Sequence, residues 1–311
     1  MNPVRRLLLA ASDNHWLRRN ATRWPILRRA VARFMPGEAL DDALGAAVVL
    51  RREQRIAAIF TRLGENVATP AEADAVATHY LDAYDRFEPD HPDAECSVKL
   101  TQLGLDVDPA RCHGHVAALA ARAARHGSML WIDMEQHTCV DATLALYHDV
   151  LAQHRNLGVC LQAYLYRTPE DLQAIIDAGG AVRLVKGAYR EPASVAHPRR
   201  ADVDASYLAL ARTMLGAEAR AHHVRAVFGT HDVTIIESIR QYAARTGVPQ
   251  GEYEFAMLYG IQRGVQQHLA RDGARVRVLI SYGDYWFPWY MRRLAERPAN
   301  VWFVARSMLG R

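Results

Sequence analysis

Near the C-terminal end, "WYMRRLAERP" (residues 289–298) sets Arg292 beside Arg293, with Glu296 three to four residues further on. On a helix those spacings bring the glutamate within reach of both arginines. Two planar guanidinium groups braced by a carboxylate make a fork for a ligand's carboxylate, although a solvated face with two weak ion pairs has the same spelling. More chemistry stands elsewhere at the ends of β-rich runs: Lys99 after "SV", Asp133 after "LWI", Gln162 in "GVCLQ", Arg183 and Lys186 in "VRLVK", and Thr230 and His231 in "FGTH". Buried ionisable groups cost several kcal/mol unless paired or bound to a ligand, so this convergence points to a site more than to a core. Of 38 basic residues only Lys99 and Lys186 are lysine, which suggests places where a compact ammonium is wanted. In "LVKGAY" a glycine follows the lysine and lets a ligand approach the backbone. In "GTHD", Asp232 reads as the N-cap of the helix "VTIIESIRQYAARTG", with Thr230 and His231 at its positive end. Both motifs suit a phosphorylated cofactor.

The elements that must position these groups follow a regular plan. Eight β-rich runs recur from residue 55 onward: "RIAAIFTRL", "ECSVKLTQL", "SMLWIDME", "GVCLQAYLY", "AVRLVKGAY", "VRAVFGTH", "YEFAML" and "RVRVLIS". Amphipathic helical stretches separate them, the pattern of parallel βαβ units, and eight units in this length predict an α/β protein with a (β/α)8 TIM barrel. A doubly wound open sheet would want a G-x-G-x-x-G loop after its first strand, and none occurs. "TPAE" (69–72) predicts a capping box with Pro70 in the first turn, "TPED" (168–171) predicts a second, and Gly179 and Gly180 should end the helix that follows. "GEALDDALGAA" reads as a helix ahead of the barrel, which divides the chain into a helical, basic segment (1–45) and a catalytic barrel (46–311).

Half of the 311 residues are hydrophobic and 23% are charged, the balance of a folded soluble protein. No apolar run reaches the roughly 18 residues a membrane span needs, and "LLLAA" is short for a signal peptide, so an intracellular protein is expected. Cys96, Cys112, Cys139 and Cys160 form no C-x-x-C pair and read as small hydrophobes, not as disulfides or a thiolate metal site. Residues 1–35 hold eight arginines against Asp13, a local +7 that leaves the remainder at −3. With Trp16, Trp24 and Phe34 interleaved, this arm suits an anionic membrane surface, a nucleic acid, or packing on its own domain.

Taken together, "SVKLTQLG", "WIDMEQ", "LQAYL", "VRLVKGAY", "FGTHD", "YEFAMLYGI" and "MRRLAERP" resemble the FAD-dependent proline dehydrogenases of the monofunctional bacterial type, over residues from about 45 to 305. The resemblance implies a distorted barrel with extra N-terminal helices and the last helix over its mouth. It also implies oxidation of L-proline to Δ1-pyrroline-5-carboxylate, with electrons passed to a membrane quinone. A pyrroline-5-carboxylate dehydrogenase is then a candidate partner, nucleic acid and metal are not expected, and the location is the cytoplasm, with peripheral contact at the inner face of the membrane. Carried over by residue, Arg183 hydrogen-bonds the flavin and Asp133 sits beside flavin and proline, both as catalytic groups. Met134 and Gln162 touch the flavin, while Lys186, Gly187, Ala188, Thr230 and His231 hold its phosphates and adenosine end. Lys99, Arg292 and Arg293 bind the substrate carboxylate with Glu296 in support, and Leu258 presses on the ring.

One departure matters for substrate. Where the family has a tyrosine beside the substrate ring, four residues before the glycine matched by Gly283, this chain has Leu279, with Tyr282 and Tyr285 as candidates to compensate. That keeps 4-hydroxyproline or a related cyclic imino acid open as the substrate. From another class, fourteen histidines and "HGH" at 113–115 suggest a metal-dependent barrel hydrolase, although these histidines do not stand at strand ends.

Overall fold

The computed structural model describes residues 31–64, 66–87, 93–287 and 290–291. Eight parallel strands close into a barrel in sequence order: β1 (Ala57–Arg62), β2 (Glu95–Val98), β3 (Leu130–Ile132), β4 (Leu157–Gln162), β5 (Ala181–Val185), β6 (Arg225–Gly229), β7 (Tyr253–Leu258) and β8 (Arg275–Tyr282). Closure comes from β8 pairing with β1, from Ala57 opposite Arg277 to Arg62 opposite Tyr282. Each expected run supplies one strand. Helices α1 (Leu40–Gln54), α2 (Pro70–Asp85), α3 (Pro109–Arg125), α4 (Val140–Leu151), α5 (Thr168–Asp177), α6 (Arg200–Met214), α7 (Ala217–Ala221), α8 (Val233–Thr246) and α9 (Arg263–Arg271) surround it.

α2 begins in the expected capping box: Thr69 Oγ1 accepts from the Glu72 N–H at 3.3 Å, and Glu72 Oε2 accepts from the Thr69 N–H at 3.1 Å. The "TPED" expectation needs correcting. Thr168 is the first residue inside α5, and its hydroxyl donates to the Gln162 carbonyl at 2.6 Å, so it ties the helix to the end of β4 instead of capping it. Gly179, at φ 63°, follows α5 as expected and lets its N–H reach the Ile176 carbonyl.

α1 packs on β1 and β8 beside α9, the outer position an eighth barrel helix would take. The chain just before it, residues 31–38, lies against the ends of the last two strands. Trp286 Nε1 donates to Glu38 Oε1 at 2.9 Å, and Phe34 meets Tyr290 with ring centroids 6.2 Å apart. Gly260 (φ 75°) sits so close that a Cβ there would lie 1.7 Å from the Arg33 carbonyl oxygen. Residues 286–287 and 290–291 are helical. The rest of the expected last helix, and with it the expectation that this helix crosses the mouth, lies outside the described residues.

Inside the barrel, period-two alternation builds three tiers. At the N-terminal base, Glu95 and Glu254 pair with Arg225 and Arg277. A narrow apolar waist of Ile59, Trp131, Ala181, Val227 and Ala256 follows. Above it stand the polar groups of the mouth.

Candidate active site

Arg183, on the inner face of β5, is the most constrained of these groups. Its Nε donates to Cys160 Sγ at 2.9 Å, and Nη2 donates to Ser97 Oγ at 2.8 Å and to Asp133 Oδ1. Asp133, just past β3, also accepts from Ser97 Oγ at 2.7 Å and from Lys99 Nζ at 2.9 Å. One carboxylate therefore joins a lysine after β2 to an arginine in β5. Burial alone would raise the Asp133 carboxyl, but Lys99 and then Arg183 outweigh it and hold it well below the usual carboxylate range. Burial works equally against the Lys99 ammonium, and Asp133 overcomes it, so Lys99 stays charged far above neutral pH. Burial pushes the Cys160 thiol up to about 11, which leaves a neutral sulfur to accept from Arg183. The group has two fixed cations and one fixed anion.

Among the described residues, Arg183 Nη1, a donor, and Gln162 Oε1, an acceptor, are buried at this mouth without a partner. Leaving such groups buried and unpaired costs on the order of 1–3 kcal/mol each, which a ligand offering an acceptor and a donor would offset. The amide of Gln162 is held for that task, because Nε2 donates to the Met134 and Glu135 carbonyls at 3.3 and 3.2 Å. Glu135 in turn accepts from Thr101, through its N–H at 3.0 Å and its hydroxyl at 2.7 Å, and ties the loop after β3 to the loop after β2.

On the β5–β6 side, Lys186 is not a bare cation. Its Nζ pairs with Asp204 at 2.5 Å and Asp232 at 2.9 Å, and the exposed Arg200 reaches Asp232 at 3.1 Å. Two cations against two anions give a neutral cluster, so the pull on a phosphate is weaker than the lone lysine in "LVKGAY" suggested. Asp232 caps α8 as expected, accepting from the Thr234 N–H at 3.2 Å. Gly187 has φ 113°, and a Cβ on it would lie 2.5 Å from the Tyr164 ring, so only glycine fits this turn. Ala188 is exposed beside it, and Thr230 is buried with its hydroxyl accepting from the Asp232 N–H at 3.1 Å. His231 Nε2 accepts from the Leu258 N–H at 2.8 Å, which orients the imidazole and sets Leu258 at the end of β7, half-buried.

Arg183 stands mid-strand in β5, and Lys99, Asp133, Met134, Gln162, Lys186, Gly187, Ala188, Thr230, His231 and Leu258 all stand at or just beyond the C-terminal strand ends. Arg292, Arg293 and Glu296 lie outside the described residues. Sequence reasoning missed Ser97, Trp131 and Cys160, although each stands two residues before a residue it did find, Lys99, Asp133 and Gln162, on the same inner face. It also missed Asp204, whose pairing depends on the fold of the β5–α6 loop.

Other expectations change. Tyr282 does not compensate for Leu279: its hydroxyl lies 2.9 Å from His79 Nε2 on α2, outside the barrel. His113 and His115 lie on α3, where His115 reaches the Leu103 carbonyl at 3.2 Å and Asp74 at 3.0 Å, away from the mouth. Among the described residues no group of three or more His, Cys, Asp or Glu could hold a metal ion. Among them, too, no helix is long and apolar enough to cross a membrane.

An unpaired arginine nitrogen, an unpaired amide oxygen and a glycine turn that admits no side chain fit the edge of a flavin and its ribityl-phosphate tail. The family model described as proline dehydrogenase matches residues 45–306. Proline dehydrogenase 1 of Bacillus subtilis subsp. natto is 36% identical over 306 residues, covering 98% of this chain and 99% of the relative. The proline dehydrogenase of Deinococcus radiodurans is 35% identical and covers 89% of each. Among solved structures, proline utilization A from Bdellovibrio bacteriovorus inactivated by N-propargylglycine superposes with a TM-score of 0.79 at 22% identity. That match takes in 86% of this chain and 32% of the larger protein, and supports the barrel fold. With the family model spanning the whole barrel and relatives above 30% identity along nearly their full length, this chain belongs to the proline dehydrogenase family.

Proposed function

We propose that the barrel mouth binds FAD without a covalent link, oxidises L-proline to Δ1-pyrroline-5-carboxylate and passes the electrons to a membrane quinone. Proline dehydrogenase activity, the first step of proline catabolism, follows from the family; the cofactor, the acceptor and the residue roles are the proposal. The observation that carries it is that Arg183 Nη1 and Gln162 Oε1 are both buried at the barrel mouth without a partner among the described residues. When bound, the flavin supplies the acceptor for the two electrons and hydrogen that leave the substrate ring carbon as the ring nitrogen gives up its proton.

The chain's own residues do the positioning, which matters more here than a strong base. Lys99 with Arg292 and Arg293 holds the substrate carboxylate, and Leu258 presses on the ring. Asp133 binds Lys99 on the substrate side and Arg183 on the flavin side, which fixes the distance between the two functions. Arg183 donates Nη1 to the flavin's reactive edge and favours the more negative reduced state. Gln162 and Met134 would meet the ring system, and Lys186, Gly187, Ala188, Thr230 and His231 would meet the phosphates and adenosine. The product passes to a pyrroline-5-carboxylate dehydrogenase, and the basic arm brings the enzyme to the inner face of the membrane.

The test is direct. Purified protein should be yellow, acid precipitation should release the colour into the supernatant, and proline without oxygen should bleach it. Colourless protein, colour retained in the pellet, or a flavin that proline leaves oxidised would each refute part of this reading.

A further inference from the structure

Trp131 lies in β3 two residues before Asp133 and is fully buried in the barrel waist. Its neighbours there are small or thin: Ala181, Val227, Ala256 and Ile59. Gly158 on β4 is paired with it, and a Cβ on that glycine would lie 2.5 Å from the indole. One ring thus spans the gap between the charged base and the mouth. Its Nε1 donates to Glu95 Oε2 at 2.7 Å, and Glu95 is itself held by Arg225 at 2.7 Å and Arg277 at 3.2 Å. The Arg183 guanidinium lies over the indole, 5.3 Å from the ring centroid. Arg225, from the base, lies 5.4 Å from it.

We infer that Trp131 is a positioning residue for the redox step: its indole, anchored to Glu95, carries the Arg183 guanidinium and aims the one unpaired nitrogen, Nη1, at the cofactor. Three polar contacts fix Nε and Nη2 at one edge of the guanidinium, and such contacts leave its tilt free. A ring beneath the guanidinium removes that freedom. An indole whose N–H is bonded to a carboxylate gains π density, which strengthens its hold on a cation. The inference rests on the flavin reading of the site, and its test separates the two.

The experiment compares the holoenzymes of wild type, Trp131→Phe and Trp131→Leu, each also with Arg183→Met, by flavin midpoint potential, anaerobic stopped-flow reduction by proline, and thermal unfolding. Wild type reduced by proline upholds the underlying reading; wild type that proline does not reduce overturns it, and this inference with it. Given a reducible wild type, the potential should become more negative and the limiting reduction rate should fall in the order Trp, Phe, Leu. The Leu variant should lose roughly three- to thirtyfold in rate, with KM changed less than about threefold. In the Arg183→Met background these effects should vanish, because the group they act through is gone. If both variants lower only the melting temperature and keep wild-type potential and rate, Trp131 is a filler of the waist and the inference fails. It fails equally if the losses persist undiminished beside Arg183→Met. Phe fills most of the same space, so a poorly folding Leu variant still leaves the Trp-to-Phe comparison decisive.

Discussion

Arg183 is gripped at Nε and Nη2, lies over Trp131, and keeps Nη1 unpaired. In its proposed role its charge would matter most as electrons arrive, whereas a carboxylate clamp acts on ground and transition states alike. Arg183→Met should therefore lower the limiting rate of flavin reduction by about 10²- to 10³-fold, the usual effect of removing one donor aimed at developing charge. Arg292→Met and Arg293→Met should mainly raise KM, and stopped-flow reduction by proline separates the two; equal losses of limiting rate from all three would refute the division. Leu279 invites a second test. It packs on the apolar waist cluster, pairs with Ile59 across the β8–β1 seam, and has no hydroxyl to direct toward a substrate. With Tyr282 turned to α2, neither it nor Leu279 directs a hydroxyl at the substrate, and an apolar contact rejects an added hydroxyl by only about a hundredfold. Proline should be preferred over 4-hydroxyproline by a modest ratio of kcat/KM. Discrimination beyond roughly 10⁴ would mean that a directed hydrogen bond polices the ring, and a preference for hydroxyproline would overturn the substrate.

At the scale of elements, the charges at the foot of the barrel should govern acid stability. Glu254 accepts from Arg225 at 2.8 Å and Arg277 at 2.5 Å; burial would raise its carboxyl, but Arg277 and Arg225 draw it down from 4.5 to about 2. A depressed carboxyl contributes stability that is full above its unfolded value and is lost as pH falls through its folded value. That window runs from about 4.5 down to about 2 and is worth on the order of 3 kcal/mol. Glu254→Gln should melt lower at pH 7, and its stability should fall less steeply than the wild type's between pH 4.5 and the acid limb. Parallel slopes would refute the assignment. None of this network was legible in the sequence, because Glu95, Arg225, Glu254 and Arg277 stand at or near strand starts and become neighbours only when the barrel closes. The strands themselves were legible, since eight short runs separated by helical spacing leave few other topologies. Trp131 hid for the opposite reason: inside "LWI" an aromatic residue looks like ordinary core. "TPED" misled because Thr168 spends its hydroxyl on the Gln162 carbonyl, a contact that depends on where β4 ends.

At the scale of the whole molecule, packing bears on the proposed membrane contact. α1 fills the eighth outer position, so the chain ahead of it starts from the rim, where Val31, Phe34 and Met35 are buried and Glu38 holds Trp286. Residues 1–30 therefore precede a residue, Val31, that is seated beside the mouth, the side on which the proposed substrate and electron acceptor would arrive. They carry seven arginines against Asp13, a charge of +6. Each basic residue near an anionic surface contributes about 1 kcal/mol, and the attraction fades beyond a Debye length. The arm should thus bring the barrel to anionic bilayers reversibly and present its mouth to a quinone dissolved there. Removing residues 1–30 keeps Val31, Phe34 and Met35 and separates charge from packing, which a cut after residue 35 would not. The full chain should float with vesicles rich in anionic lipid and be released as salt rises. The shortened chain should stay in solution, with unchanged reduction by proline and slower turnover on vesicle-embedded quinone. Equal flotation of both chains would rule out the arm as the membrane contact.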